Sequence, residues 1–191
     1  MNYYRIKNLL HPRVSYILGE VLSNDFKNPK KRWVKTAMSD GTLFHKAVND
    51  YVIGNTPVVK PEWQQRFDET VKWLQGWDVV HTEQLVSYLN GPLRYAGTLD
   101  LILRDKATGK VVLVDLKTGG FHDQYPLQLS AYKGATEQSL GLTIDKMMLL
   151  RPYDDCVQEW YCKDYFDDWM SVLRLFYTRK HIRRGDWLDK P

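Results

Sequence analysis

One stretch of this chain restricts its fold more than any other: Val111-Val112-Leu113-Val114-Asp115-Leu116-Lys117. It is apolar on both faces for most of its length. Such a run suits a strand in the middle of a sheet with helices on both sides. The charges at its end are the anomaly. Asp115 and Lys117 are two apart, so their side chains leave the same face. Ionisable groups are expensive to bury unless they are paired or bind a metal. The preceding residues 93–103 read as a second strand, joined to this one by the loop Asp105-Lys106-Ala107-Thr108-Gly109. Pairing Asp105 with Lys110 across that loop places Asp100 opposite Asp115. Two carboxylates and one ammonium then converge on one point. An Asp115–Lys117 ion pair at a sheet edge would account for one pair and leave Asp100 without a role.

The remaining elements follow from periodicity and breakers. Val14, Ile17, Leu18, Val21 and Leu22 give a helix over 13–24. Ser39-Asp40 offers an N-cap for a helix that runs to about residue 53, with Gly54 as its C′ residue. Its apolar face is Phe44, Ala47, Val48, Tyr51 and Val52, with His45 beside that face. Pro61 opens a helix carrying Trp63, Phe67, Val71 and Leu74, and Gly76 ends it. Residues 79–89 read as a strand, and Asn90-Gly91-Pro92 as a turn. After Thr118-Gly119-Gly120 come a helix over 124–139, an apolar strand at 146–150, an edge strand at 157–161 and a last helix over 164–184. The order predicts an α/β fold, a mixed central sheet with helices on its faces.

With 191 residues, 43% hydrophobic and 26% charged, the chain suits one globular domain. That excludes a disordered tail or a rod. No window is apolar enough for a membrane helix, and the N-terminus shows no secretory pattern, so a cytoplasmic protein without a membrane partner is expected. Cys156 and Cys162 are too few for a four-cysteine zinc or iron–sulfur site and read as reduced thiols. Charge is unevenly spread. Residues 1–46 carry nine Lys/Arg against three Asp/Glu, residues 174–191 six against two, and the middle twelve against eighteen. Basic ends around an acidic centre suit a polyanion held over a metal, although solvated faces can also cluster this way.

Two carboxylates make a hard oxygen site for Mg2+ or Mn2+. A lysine beside the metal can orient the attacking water, or deprotonate it if burial and the cation lower its pKa. The motifs Gly97-Thr98-Leu99-Asp100 and Val114-Asp115-Leu116-Lys117-Thr118-Gly119 resemble the PD-(D/E)XK nuclease signature, in its RecB-type exonuclease branch. Gly41-Thr42-Leu43-Phe44-His45 is similar to that branch's helical histidine motif. Glu83 resembles the glutamate of its first core strand. Gln128-Leu129-Ser130-Ala131-Tyr132 is similar to its Q-x-x-x-Y motif. Leu99 departs from the pattern by standing where the signature has proline. The resemblance spans about residues 13–183 and implies a restriction-endonuclease-like αβββαβ core. The domain reading is a single nuclease domain over 1–191, with an N-terminal helical and basic segment at 1–40, the core at 41–151 and an edge strand and helix at 152–191.

By the same resemblance, His45, Asp100, Asp115 and the Leu116 carbonyl are metal ligands for one or two Mg2+ or Mn2+ ions, with no iron–sulfur cluster. Lys117 positions the water, Glu83 is an auxiliary carboxylate, and Gln128 and Tyr132 brace the site and touch the scissile phosphate. The implied activity is a metal-dependent DNA exonuclease acting on DNA ends or single strands, similar to phage and mitochondrial genome-maintenance enzymes. The alternatives are a structure-selective endonuclease, a non-catalytic DNA-binding module that keeps the fold, and a small-molecule phosphatase. Lys30, Lys31, Arg32 and Trp33 are expected to contact DNA, as are Arg183 and Arg184. Tyr3, Tyr4 and Trp77 are further candidates for stacking on bases.

Overall fold

The computed structural model describes residues 2–22 and 32–183 and, within these, the side chains of 2–22 and 41–181. A small hairpin comes first, β1 (Tyr3–Ile6) and β2 (Leu9–Pro12). It is followed by α1 (Val14–Val21) and α2 (Arg32–Val52). A 3-10 turn at Pro61–Trp63 leads into α3 (Gln64–Leu74). Then come β3 (Trp77–Asn90), β4 (Leu93–Asp105) and β5 (Val111–Leu116). The chain ends with α4 (Tyr125–Leu140), β6 (Lys146–Pro152), β7 (Val157–Cys162) and α5 (Phe166–Arg183). Among the described residues, no helix is long and apolar enough to cross a membrane.

β3 to β7 form one five-stranded sheet in sequence order. β5 and β6 are parallel and the other neighbours antiparallel. This is the mixed sheet flanked by helices that the sequence implies. All six residues of β5 are buried, because both faces of the central strand are covered. On one face Leu113, Leu129, Leu149, Trp169 and Leu173 pack under α1, α4 and α5. On the other, Val112, Val114, Leu116, Phe44, Val48 and Phe67 pack under α2 and α3. Each fully buried leucine here contributes about 1.5–3 kcal/mol of transfer free energy.

Two expectations are corrected. Ser39-Asp40 does not cap α2, which already starts at Arg32. No breaker stands between Trp33 and Asp40, so the helix runs on through the polar pair and Gly41. The N-terminal hairpin was not expected at all. Lys7 and Asn8 both take left-handed backbone conformations (φ 44° and 64°) between the paired Ile6 and Leu9. That is a two-residue hairpin turn made without the glycine that usually signals it.

β4 changes face part-way along. Leu101 and Leu103 pack with the α2–α3 cluster, whereas Leu99 packs with the opposite one. Strict alternation would put all three on one face, so the strand breaks step at Asp100. The β4–β5 register runs from Arg104↔Val111 to Leu101↔Val114 and stops there. The next position along this register would set Asp100 against Asp115, as the loop argument predicts.

Candidate active site

Where β4 and β5 part, Asp100 takes over the lost strand pairing. Its Oδ2 accepts the Leu116 backbone N–H at 2.7 Å, and its Oδ1 lies 3.2 Å from His45 Nδ1 on α2. Burial by itself would lower the His45 imidazole. The Asp100 charge and hydrogen bond outweigh it, and with Asp115 they raise His45 to about 9. Burial pushes the Asp100 carboxyl the other way, but His45, Lys117 and the Leu116 N–H together hold it below its usual range.

Glu83 faces this pair from β3. It lies between Thr82, paired with Leu101, and Gln84, paired with Leu99. Its backbone is left-handed at φ 44°. A non-glycine residue is strained there by roughly 1–2 kcal/mol. Burial, then the nearby Asp100 charge, pushes its carboxyl up, with His45 opposing. One ligand atom each from His45, Glu83 and Asp100 lies within 4.8 Å of the others. Leu116 lines the same small cleft, with Asn49 and Thr82.

Asp115 is not part of that trio. Its Oδ2 meets Lys117 Nζ at 2.5 Å, a charge contact on the α4 side of the sheet. Burial foremost, and the Asp100 charge, raise the Asp115 carboxyl above its usual range, with Lys117 opposing. Burial opposes the charge on Lys117 too, but Asp115 and Asp100 outweigh it and raise its pKa. The raised value is that of the site without a cation beside it.

Lys117 Nζ donates to Gln128 Oε1 at 3.3 Å, and Gln128 Nε2 donates to the Tyr132 hydroxyl at 3.2 Å. Positions 128 and 132 share one face of α4, as their spacing requires. The Tyr132 ring is buried against β4, where a Cβ at Gly97 would come within 2.4 Å of its Cε1. Gly41 has a similar part, because a Cβ there would lie 3.0 Å from Thr118 Oγ1. The two motif glycines thus let α2 and α4 close on the ends of β5 and β4. Tyr125 was missed in the sequence. Its ring lies 4.2 Å under Lys117 Nζ, and its spacing three residues before Gln128 on the same helix face was the available signal.

The aromatics proposed for base stacking have internal partners. Tyr3 packs edge-on against Tyr16, and Trp77 lies 5.1 Å from Trp73. The Tyr4 hydroxyl accepts from Arg13 at 2.6 Å and lies 2.9 Å from Thr98 Oγ1. Of the basic candidates, Lys30, Lys31 and Arg184 lie outside the described residues. Arg32 and Trp33 open α2 and Arg183 closes α5, with their side chains likewise outside.

The donor set fits a divalent cation. Two carboxylates and an imidazole converge within 4.8 Å, with the small cleft beside them. Oxygen ligands suit Mg2+, and the imidazole suits Mn2+ better.

No family model and no curated protein matches the chain. Among solved structures, the chain is similar to a protein from Eubacterium rectale described as a candidate exonuclease. The two align over 76% of this chain and 68% of that one, at TM-score 0.52 and 11% identity. An alkaline exonuclease from Laribacter hongkongensis aligns over 92% of this chain and 93% of its own, at TM-score 0.47 and 10% identity. At 11% identity the likeness to the Eubacterium rectale protein is one of fold alone.

Proposed function

We propose that the chain is a divalent-metal-dependent DNA exonuclease of the PD-(D/E)XK type. The observation that carries the reading is the meeting of two groups where β4 and β5 part. The His45–Glu83–Asp100 donors lie on one side, and the Asp115–Lys117 pair, braced by Gln128, on the other. The fold likeness to a candidate exonuclease supports the same reading.

His45, Glu83 and Asp100 would hold the cation, with Asp115 the next carboxylate in reach. When bound, the cation supplies charge neutralisation at a phosphodiester and a more acidic water. The chain's own residues do the rest. Asp115 and Gln128 fix the Lys117 ammonium so that one N–H is left to point at a water or a phosphate oxygen. Tyr132 holds Gln128 in that orientation, because its hydroxyl takes the amide N–H. Asp100 keeps His45 facing the cleft.

The test is incubation of the protein with end-labelled single- and double-stranded DNA in Mg2+, Mn2+ or EDTA. Mononucleotides released from an end, with metal and not with EDTA, are the expected result. Internal cuts near branches would replace the exonuclease by a structure-selective endonuclease. Binding without any cleavage would leave a DNA-binding module.

A further inference from the structure

Beyond the metal donors, a cavity of about 290 Å³ opens beside Lys117. Its walls are Phe121, Tyr125 and Trp160, its floor is Leu149, and Arg151 stands with Lys117 at its polar edge. Its place is set by the sheet register. Asp115 is opposite Leu149, and Leu149 opposite Trp160, so the three form one row across β5, β6 and β7. Trp160 therefore stands two strand spacings, roughly 10 Å, from the Asp115–Lys117 pair.

The aromatic rings of the lining touch one another edge to face. Phe121 is edge-on to Tyr125 at 5.9 Å and to Trp160 at 6.2 Å. It is 54% exposed, a large apolar side chain left half in water. Two glycines, Gly119 and Gly120, precede it, and a Cβ on either would meet nothing within 4 Å. The Tyr125 hydroxyl donates to the Gly120 carbonyl at 3.3 Å and ties the loop to α4. No carboxylate lines the cavity, while two cations do. That suits a flat ring system with negative charge beside it.

We propose that this cavity seats one unpaired nucleobase of the strand being cut, stacked on the half-exposed ring of Phe121, with Lys117 and Arg151 facing the adjoining phosphates. The inference rests on the reading of the neighbouring centre as a DNA-cleaving site. It adds the requirement that the base leave its duplex stack, since a base inside a duplex has both faces covered and none free for a side-chain ring.

Stacking on one aromatic side chain changes affinity by about 5- to 150-fold per base. The probes are dAMP and 2-deoxyribose 5-phosphate, titrated into the whole chain in EDTA and read by tryptophan fluorescence and calorimetry. Trp160→Phe identifies the reporting indole. The expected result is dAMP binding at least about fivefold tighter than the sugar phosphate. In Phe121→Ala, that preference should fall to near unity, with sugar-phosphate affinity unchanged. Equal affinity for both probes in the wild type, or a preference that survives Phe121→Ala, overturns the inference. DNA cleavage is assayed on the same samples. A protein that cleaves DNA but shows no base preference retains its nuclease reading and loses the base seat. One that binds dAMP through Phe121 but never cleaves keeps the seat and loses the nuclease reading.

Discussion

Gly97→Ala tests how tightly α4 is set against β4. A Cβ at position 97 would lie 2.4 Å from Tyr132 Cε1 and 3.2 Å from its Cζ. Carbon atoms rest at about 3.5–4.0 Å, so the ring must retreat by more than about 1 Å. Tyr132 is buried, with a relative exposure of 6%, and has little room to move. Overpacking of this kind costs about 1–3 kcal/mol. For a chain of this size each kcal/mol lowers the melting temperature by about 2–4 °C, so a fall of roughly 2–12 °C is expected. The hydroxyl would also leave Gln128, now 3.2 Å away, and Gln128 would no longer be fixed as the acceptor for Lys117. Cleavage should therefore fall further than stability. Calorimetric melting and single-turnover cleavage measure the two effects. A double-variant cycle isolates the cause: in a Tyr132→Ala background the added Gly97→Ala should cost almost nothing, a coupling of about 1 kcal/mol or more. An equal cost in both backgrounds would refute the steric reasoning.

Two further outcomes follow from the charged cleft. In EDTA, His45 keeps its proton to about pH 9 when folded but only to about 6.5 when unfolded. Its contribution to stability is therefore complete below pH 6.5 and lost as pH rises through 9, on the order of 3 kcal/mol at most. Urea titrations at pH 6 and 9.5 should show the fall in the wild type and a much smaller one in His45→Ala; equal falls would remove His45 from the account. Glu83→Gly relieves a left-handed backbone at φ 44° and a like charge beside Asp100. It should raise the stability of the metal-free protein by about 1 kcal/mol while raising the Mn2+ concentration needed for half-maximal cleavage. A lower melting temperature together with an unchanged Mn2+ requirement would show that the strain serves no ligand.

The central strand was legible because few backbones suit four apolar residues in a row followed by Asp-x-Lys. The loop at 105–109 fixed the register from local chemistry alone, since its Asp105 N–H and Lys110 carbonyl do pair at 2.9 Å. Helical spacing likewise set Gln128 above Tyr132. The break in step at Asp100 was not legible. It depends on Glu83 taking a backbone conformation that glutamate disfavours, and no local preference announces it. The resemblance implied Asp115 as a ligand beside His45 and Asp100, with Glu83 as an auxiliary carboxylate; in the fold Glu83 lies with His45 and Asp100, and Asp115 contacts Lys117. The hairpin at Lys7-Asn8 was hidden for a similar reason, a tight turn made without glycine. Tyr125 showed only in its spacing from Gln128, while Phe121 meets it from a loop, and Trp160 meets Phe121 from β7, through packing that no local pattern announces.

The central claim is that the Asp115–Lys117 pair takes part in cutting a phosphodiester rather than merely stabilising the sheet. Removing Lys117 alone would strand a buried carboxylate and risk the fold, at about 3–5 kcal/mol. Asp115→Asn/Lys117→Met removes both charges together, a change that is often neutral to stability. The decisive measurement is single-turnover cleavage of end-labelled DNA by this double variant in saturating Mg2+, with its melting temperature recorded. A loss of roughly 100-fold or more in rate, at a melting temperature close to wild type, is expected. Cleavage near the wild-type rate by the folded double variant would contradict the assignment of the site.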